Sequence, residues 1–181
     1  MKILILGIGN ILFGDEGVGA HLANLIDEKY SFESDEHTVE VLDGGTLAQR
    51  LIPLITDHDR VLLIDCVNVA DGNIGDVYNF DFTDVPDFIT WEGSAHEVEM
   101  LQTLQMIEML GDLPPTKIVG VIPYVIGENS TFTMTPEVLK ASEVMEKVII
   151  KYIEDFGVKA HIKKVTTIEE VSKYTYLKVL Q

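Results

Sequence analysis

Cysteine and positively charged residues are scarce in this sequence. Its 181 residues include one cysteine, Cys66, which excludes an internal disulfide and a metal site built from several cysteines. Lysine and arginine total 13 against 30 acidic residues, so the formal net charge is -17. A charge of that sign opposes binding to nucleic acid or to anionic membranes, and it favours basic, cationic or metal-bearing partners.

Long hydrophobic runs are also missing, because no apolar stretch approaches the roughly 20 residues that a membrane-spanning helix needs. The amino terminus leads directly into an apolar run typical of a core strand and shows no cleavable signal segment. We therefore expect a cytoplasmic monomer without a membrane partner. Repeats and linkers are not evident, so we expect one domain over residues 1–181, in which residues 158–181 form a carboxyl-terminal appendage of uncertain role.

The glycine-rich stretch at residues 2–19 is the most informative part of the chain. Residues 3–6 form a continuous apolar run, typical of a strand buried on both faces, and the glycines that follow predict a turn into a helix. A phosphate-binding P-loop would continue with lysine and then serine or threonine. Here Gly14 is followed by Asp15 and Glu16, two carboxylates that would repel a polyphosphate and that suit a cation. The turn therefore predicts a cation site.

Apolar periodicity alternates between strands and helices along the rest of the chain. Spacings of three and four predict helices near residues 16–29, 47–55, 95–110 and 136–156, the second of them capped by Thr46. Predicted strands cover residues 3–6, 38–42, 61–64, 75–80 and 117–122, and residues 31–37 and 81–93 are predicted loops. This order predicts an α/β fold: a single-domain, three-layer α/β/α structure around a doubly wound, mostly parallel twisted sheet, with residues 75–80 as an edge strand.

Three side chains are predicted to meet at the carboxyl edge of that sheet, where open α/β sheets bind ligands. Glu16 lies in the first turn of the first helix, and Asp65 directly follows a buried strand. A capping box formed by Ser94 and Glu97 predicts that His96 lies in the first turn of a later helix. Two carboxylates and one imidazole suit zinc, nickel or another divalent first-row ion, with positions left open for water or substrate.

Each of these residues also has a purely structural interpretation, as a helix-dipole partner, a loop cap or an exposed histidine. Their convergence on one edge favours the site. Asp43 ends a further strand at the same edge and is a candidate fourth polar group, although Asp-Gly-Gly is equally a turn signature. Cys66 follows Asp65 on a strand, so it should point to the opposite face and be buried. Three histidines are left out of the predicted site: His21, His58 and His161.

Taken together, these motifs resemble those of the hydrogenase maturation endopeptidases. The matching segments are GIGN at residues 7–10, GDEGVG at residues 14–19, DGGT at residues 43–46, Asp65, and SAH at residues 94–96. The resemblance extends over residues 1 to about 155. Proteins of that family remove a short carboxyl-terminal extension from the large subunit of nickel-iron hydrogenases once nickel has been inserted.

The resemblance implies an aspartic-type or metal-dependent endopeptidase whose partner is the precursor of a hydrogenase large subunit. It implies that Glu16, Asp65 and His96 bind metal, and that Asp43 bears on recognition or activity as a further catalytic residue beside Glu16 and Asp65. The implied metal is nickel carried by the substrate, although zinc or cadmium could occupy the same ligands. Whether Glu16 or Asp65 acts as a base towards water or only as a ligand stays open.

Two other classes of function remain open at this point. A self-contained metallohydrolase would use the same three ligands to hold its own zinc. A nucleotide-binding module would use the glycine turn alone, and the two acidic residues after Gly14 argue against it.

Overall fold

The strands form one central sheet and two small sheets in the computed structural model, which describes residues 1–90, 95–124 and 131–179. In chain order they are β1 (Lys2–Ile8), β2 (Tyr30–Glu33), β3 (Thr38–Gly45), β4 (Arg60–Cys66), β5 (Asn68–Val69), β6 (Val77–Asp81), β7 (Ile89–Thr90), β8 (Thr116–Val121) and β9 (Lys159–Ile162). The helices are α1 (Val18–Lys29), α2 (Ile52–Thr56), α3 (Ala95–Leu110), α4 (Pro136–Glu154) and α5 (Ile168–Val179).

The central sheet has the strand order β3-β1-β4-β8-β6. The first four strands are parallel, and β6 pairs with β8 in the antiparallel sense at the edge. The continuous apolar runs of β1 and β4 occupy central positions because every residue from Ile3 to Ile8 and from Val61 to Cys66 is buried. The predicted mostly parallel sheet and its weaker edge strand are confirmed.

Helices cover both faces of this sheet, which confirms the three-layer α/β/α prediction. Alternate residues of each strand point to opposite faces, so β4 sends Leu62, Ile64 and Cys66 towards α1, α4 and α5. Its Val61 and Leu63 pack on the other side against α2 and α3. We call these two sides the α1 face and the α3 face. Cys66 is buried on the α1 face, as predicted.

Several local predictions can be compared directly with the structure. Thr135 caps α4 by accepting a hydrogen bond from the backbone N–H of Val138 at 3.4 Å. Gly111, with φ at 80°, follows the end of α3, at the position where the helix predicted over residues 95–110 also ends. Thr46 as a helix cap is wrong, because a 3-10 turn at Ala48–Leu51 precedes α2 and begins after Leu47 without a side-chain cap. Ser94 of the predicted capping box lies outside the described residues.

The two predicted loops contain more structure than the sequence pattern indicated. Residues 30–33 form β2, since this short segment finds its partner in β9, far away in the sequence. The segment from residue 81 includes a 3-10 turn at Phe82–Asp84 and strand β7, which pairs with β5. Phe82 and Ile89 are buried on the α3 face, so the described part of this loop contributes to the core.

The carboxyl-terminal segment packs on the α1 face. β9 pairs with β2 in an antiparallel two-stranded sheet. Helix α5 contacts α1 and α4, and Val158, Ile168 and Val171 are buried in the core of that face. Among the described residues, no helix is both long enough and apolar enough to cross a bilayer.

Candidate functional site

The carboxyl edge of the sheet brings the predicted acidic residues into one region. In the strand register, Asp43 of β3 lies beside Gly7 of β1, which lies beside Ile64 of β4, the residue before Asp65. Asp43 and Asp65 are therefore nearly level and two strand spacings apart, a separation of about 10 Å between backbones. The turn that follows β1 lies between them in strand order and bears Glu16.

Glu16 is held at this edge through its backbone. It lies in a 3-10 turn at Gly14–Gly17 that leads directly into α1, slightly earlier than the α-helical turn predicted for it. Gly9, at the end of β1, packs so closely that a Cβ there would overlap the carbonyl oxygen of Glu16. Gly19 approaches the carbonyl groups of Ile8 and Ile64 in the same way. The glycines thus bring the half-buried Glu16 directly onto the ends of the central strands.

Asp65 is almost completely buried, with 2% of its surface exposed. It is the penultimate residue of the central strand β4, and its side chain has the same orientation as Val61 and Leu63, towards the α3 face. Its Oδ1 accepts a hydrogen bond from the backbone N–H of Cys66 at 2.8 Å. The strand and this bond fix the position of a carboxylate at the centre of the edge.

Asp43 points to the opposite side of the sheet. It shares its orientation with Val39 and Val41, which pack on the α1 face. Its Oδ2 accepts a hydrogen bond from the Asn24 side chain of α1 at 2.8 Å, and its Oδ1 accepts one from the backbone N–H of Gly45 at 3.0 Å. Protein donors thus orient both oxygens of Asp43. Because the Asp43 side chain points to the α1 face and that of Asp65 points to the α3 face, the two carboxylates lie on opposite sides of the sheet.

Asp15 has a different role from the one predicted. It was expected to offer carboxylate oxygens to a cation beside Glu16, but it is fully buried and accepts three hydrogen bonds. Oδ1 accepts from the backbone N–H of Thr135 at 2.6 Å, while Oδ2 accepts from the Thr135 hydroxyl at 2.8 Å and from the N–H of Tyr124 at 3.0 Å. Asp15 therefore ties the glycine turn to the segment after β8 and to the start of α4.

His21 and Asn24 are neighbours of Asp43 that the sequence interpretation left out. His21 is fully buried in α1, where burial lowers its pKa to about 4 although the nearby charge of Asp43 acts in the opposite direction. The imidazole is therefore neutral at neutral pH. The sequence contained a signal for its burial, because His21 falls in the apolar stripe of Val18, Leu22 and Leu25 at helical spacing.

His96 can be placed only by its backbone, which lies in the first turn of α3. That helix runs back across the sheet to the amino end of β8, so its first turn lies at the carboxyl-edge end. The His96 side chain lies outside the part of the chain that the structure describes. Within the described part, no group of three histidine, cysteine, aspartate or glutamate residues forms a metal cluster, and the predicted set of Glu16, Asp65 and His96 stays a prediction.

A cavity of about 550 Å³ between α1, α4 and α5 is separate from these carboxylates. Its lining includes Lys29 and Glu146, which form an ion pair at 2.7 Å, and Tyr30, whose hydroxyl donates to Glu146 at 2.6 Å. Two of its charged groups, Lys29 and Glu146, are thus paired with each other. The carboxyl edge is therefore the stronger candidate for the functional site.

Comparison with known proteins settles the family. The family model described as HycI, hydrogenase maturation protease, matches residues 20–152, which is most of the chain. This chain belongs to the hydrogenase maturation protease family. It is 54% identical to Protein HydD of Wolinella succinogenes over 156 residues, a match that covers 86% of this chain and 98% of that protein. It is also 28% identical to the hydrogenase 2 maturation protease of Escherichia coli, over 88% of this chain and 95% of the relative.

The fold agrees with this family assignment. The structure of the hydrogenase maturating endopeptidase HybD from Escherichia coli superimposes with a TM-score of 0.77 at 26% sequence identity, covering 90% of this chain and 98% of that one. As a hydrogenase maturation protease, the chain is an endopeptidase. The resemblance drawn from its sequence motifs and the predicted fold class are both confirmed.

Proposed function

We propose that this hydrogenase maturation protease removes the carboxyl-terminal extension of a nickel-iron hydrogenase large-subunit precursor and recognises the precursor through its inserted nickel. The observation that carries the proposal is the carboxyl edge of the sheet. There, the buried Asp65 and the turn with Glu16 lie next to each other, at the same end of the sheet as the first turn of α3. The names of the E. coli relatives support a protein substrate from hydrogenase maturation.

The donor set explains why a metal carried by the substrate would be recognised. The carboxylates of Glu16 and Asp65 and the imidazole of His96 supply three ligands of types that nickel accepts, and they leave positions for ligands from the substrate. A metal bound in this way polarises a neighbouring carbonyl group as a Lewis acid. No protein nucleophile is then needed, because water attacks the carbonyl carbon and the peptide nitrogen leaves with a proton.

Asp43 contributes to the same reaction from the other face of the sheet. Asn24 and the N–H of Gly45 each bind one oxygen of its carboxylate, so the orientation of the carboxylate and the directions of its remaining lone pairs are fixed. We assign Asp43 to the orientation of the substrate chain or of the attacking water. Glu16 and Asp65 are the candidates for the base that accepts the proton of that water.

Metal occupancy follows from the same arrangement. A site that releases its product with the nickel must bind that metal weakly by itself. Zinc or cadmium at high concentration should then occupy Glu16, Asp65 and His96 and inhibit cleavage. A monomeric state and a cytoplasmic location stay predictions.

The proposal is tested by incubating the purified protein with the nickel-loaded, unprocessed large subunit of the hydrogenase from the same organism. Mass spectrometry should detect the shortened large subunit together with the released peptide, formed by one cut. A matched reaction with the Glu16→Gln variant controls for a contaminating protease. An intact precursor after prolonged incubation with the active protein contradicts the proposed function.

A further inference from the structure

Large apolar side chains are exposed around the carboxyl edge. Leu12 follows β1 and is 39% exposed, Leu47 follows β3 and is 50% exposed, and Tyr124 follows β8 and is 51% exposed. Phe132 precedes α4 and is also 51% exposed. We call Leu12, Leu47, Tyr124 and Phe132 the apolar rim. Single exposed apolar residues need no explanation, but a group beside a set of carboxylates does.

Hydrogen bonds hold three of the rim segments together. The N–H of Thr131 donates to the carbonyl of Leu12 at 3.1 Å, and the N–H of Gly14 donates to the carbonyl of Thr131 at 2.6 Å. These two bonds form a parallel bridge between Phe13 and Thr131, the residues that follow Leu12 and precede Phe132 in the sequence. Asp15 accepts the N–H of Tyr124 and so holds the third rim segment to the same turn. The segments with Leu12, Tyr124 and Phe132 are therefore fixed to the turn that bears Glu16, whereas Leu47 lies on the separate segment after β3.

Charge is distributed unevenly between the two edges of the sheet. Residues 7–19, 43–49, 65–76 and 118–136, around the carboxyl ends of the parallel strands, include no lysine or arginine, and each segment contains at least one acidic residue. The nearest arginine in sequence is the exposed Arg50, in the 3-10 turn that follows Leu47. Positive side chains lie at or next to the first residue of three of these strands: Lys2 in β1, Arg60 in β4 and Lys117 in β8. The carboxyl edge thus combines apolar and acidic groups, which fit a partner that is apolar and basic.

We infer that the apolar rim is the docking surface for the substrate's polypeptide next to the cleaved bond, and that this segment has apolar side chains and at least one basic side chain. The inference rests on the proposed function, because it needs Glu16 beside the scissile bond. A second copy of this chain fits poorly, since it would bring a net charge of -17 against an acidic edge. The positive charge and apolar contact must come from a different polypeptide.

Docking on the rim should contribute to substrate affinity more than to chemistry. Aromatic side chains with exposed faces are the residues that most often dominate binding at interfaces. Truncating a rim side chain removes contact to the bound polypeptide, whereas Glu16, Asp65 and His96 stay in place. The Michaelis constant should therefore increase more than kcat decreases.

The test compares a rim variant with a control variant at the other end of the molecule. Leu12→Ser combined with Tyr124→Ser removes two rim side chains without altering the hydrogen bonds that their backbones make. Met109→Ser combined with Leu110→Ser is the matched control, because these residues are 88% and 70% exposed at the end of α3 that leads to the amino edge. Leu47→Ser provides an independent rim variant that makes none of the bridge contacts.

Steady-state cleavage of the nickel-loaded precursor should show a KM at least about tenfold higher for the double rim variant, equivalent to about 1.4 kcal/mol of lost binding. The control should keep the KM of the unmodified protein. Added salt should raise KM for the unmodified protein, because charge attraction is screened. Equal KM values for the rim variants and the control contradict the docking inference.

Binding distinguishes this inference from the proposed function. The affinity of the nickel-loaded precursor is measured by calorimetry for Glu16→Gln proteins with and without the rim substitutions. If the unmodified protein cuts nothing but the rim substitutions weaken binding about tenfold, the proposed function fails, and the rim is a docking surface for the precursor that takes no part in cleavage. If the rim substitutions leave binding unchanged, the docking inference fails whether or not cleavage occurs.

Discussion

The two edges of the central sheet use charge in opposite ways. At the amino edge, Lys2 pairs with Asp57 at 2.9 Å and Lys117 with Asp81 at 3.3 Å, so cations and carboxylates are matched on the surface. At the carboxyl edge, Asp43 and Asp15 are held by neutral donors, and no lysine or arginine occurs within residues 7–19, 43–49, 65–76 and 118–136, with Arg50 as the nearest arginine in sequence. Neutral donors orient a carboxylate without cancelling its charge. The carboxyl edge therefore keeps a negative charge that a metal or a basic segment can use.

The largest expected effect is loss of processing on substitution at the carboxyl edge. Glu16→Gln, Asp65→Asn and His96→Gln should each abolish cleavage, because each removes a ligand charge or lone pair. The folded state should be unaffected or slightly more stable, since grouped carboxylates repel each other without metal. In particular, the asparagine at position 65 can still accept the N–H of Cys66. Precursor cleavage and thermal unfolding measure both effects.

Asp57→Asn at the amino edge is the control for these substitutions and should cleave normally. Full activity in any one of the three carboxyl-edge variants removes that residue from the site. A large loss of thermal stability in such a variant would instead indicate that the residue has a structural role. At that position, the carboxyl edge would then not differ from the amino edge by holding a functional residue.

Asp15 is expected to give the next largest effect, on stability. Asp15→Ala leaves two backbone N–H groups and a hydroxyl without their acceptor, at a cost of about 3 to 5 kcal/mol. For a chain of this size that corresponds to a decrease in Tm of roughly 10 °C. Asp57→Ala, an exposed carboxylate at the amino edge, should leave Tm nearly unchanged. A similar Tm for both variants would mean that Asp15 is not the tie between the three segments.

His21 should make stability depend on pH in the acidic range. Its pKa is about 4 in the folded protein against a normal value of 6.5, so below pH 6.5 the unfolded chain binds a proton that the folded chain does not. Stability contributed by the neutral imidazole is complete above pH 6.5 and is lost as pH decreases towards 4. The shift corresponds to about 3 kcal/mol. His21→Leu should therefore lose less stability than the unmodified protein between pH 6.5 and 4, as measured by urea denaturation.

The smallest effect is expected at the amino edge. Lys2 and Asp57 form their ion pair with more than half of each side chain exposed, so water and salt screen the attraction. Lys2→Met should change neither Tm nor the rate of precursor cleavage. A clear loss of cleavage would show that the amino edge takes part in substrate recognition, contrary to the contrast drawn between the two edges.

Strand ends were predictable from the sequence because the apolar runs of β1 and β4 mark central parallel strands. Because these strands are parallel neighbours, the residues that follow them, among them Glu16 and Asp65, fall at one edge of the sheet. Strand β2 was missed since its pairing with β9 joins segments more than a hundred residues apart. No local sequence pattern predicts such a distant partner. Helix α5 was missed for the same reason, because it packs on α1 and α4, which are distant in the sequence.

The site was predictable in outline only. The donors to Asp15 come from Tyr124 and Thr135, more than a hundred residues later, so its buried structural role was invisible in the local motif. The face on which Asp43 lies depends on strand register, which the alternating pattern of β3 left undetermined. The contact between Asn24 and Asp43 likewise needs the packing of α1 against β3.

The central claim is that the carboxyl edge recognises nickel already bound in the substrate. The most direct test compares nickel-loaded with nickel-free large-subunit precursor, each incubated with chelator-treated protease. We expect cleavage of the nickel-loaded precursor alone, with only weakly bound metal in the purified protease. Equal cleavage of the nickel-free precursor, or activity that requires tightly bound stoichiometric zinc in the protease, would contradict the claim and indicate a self-contained metallohydrolase.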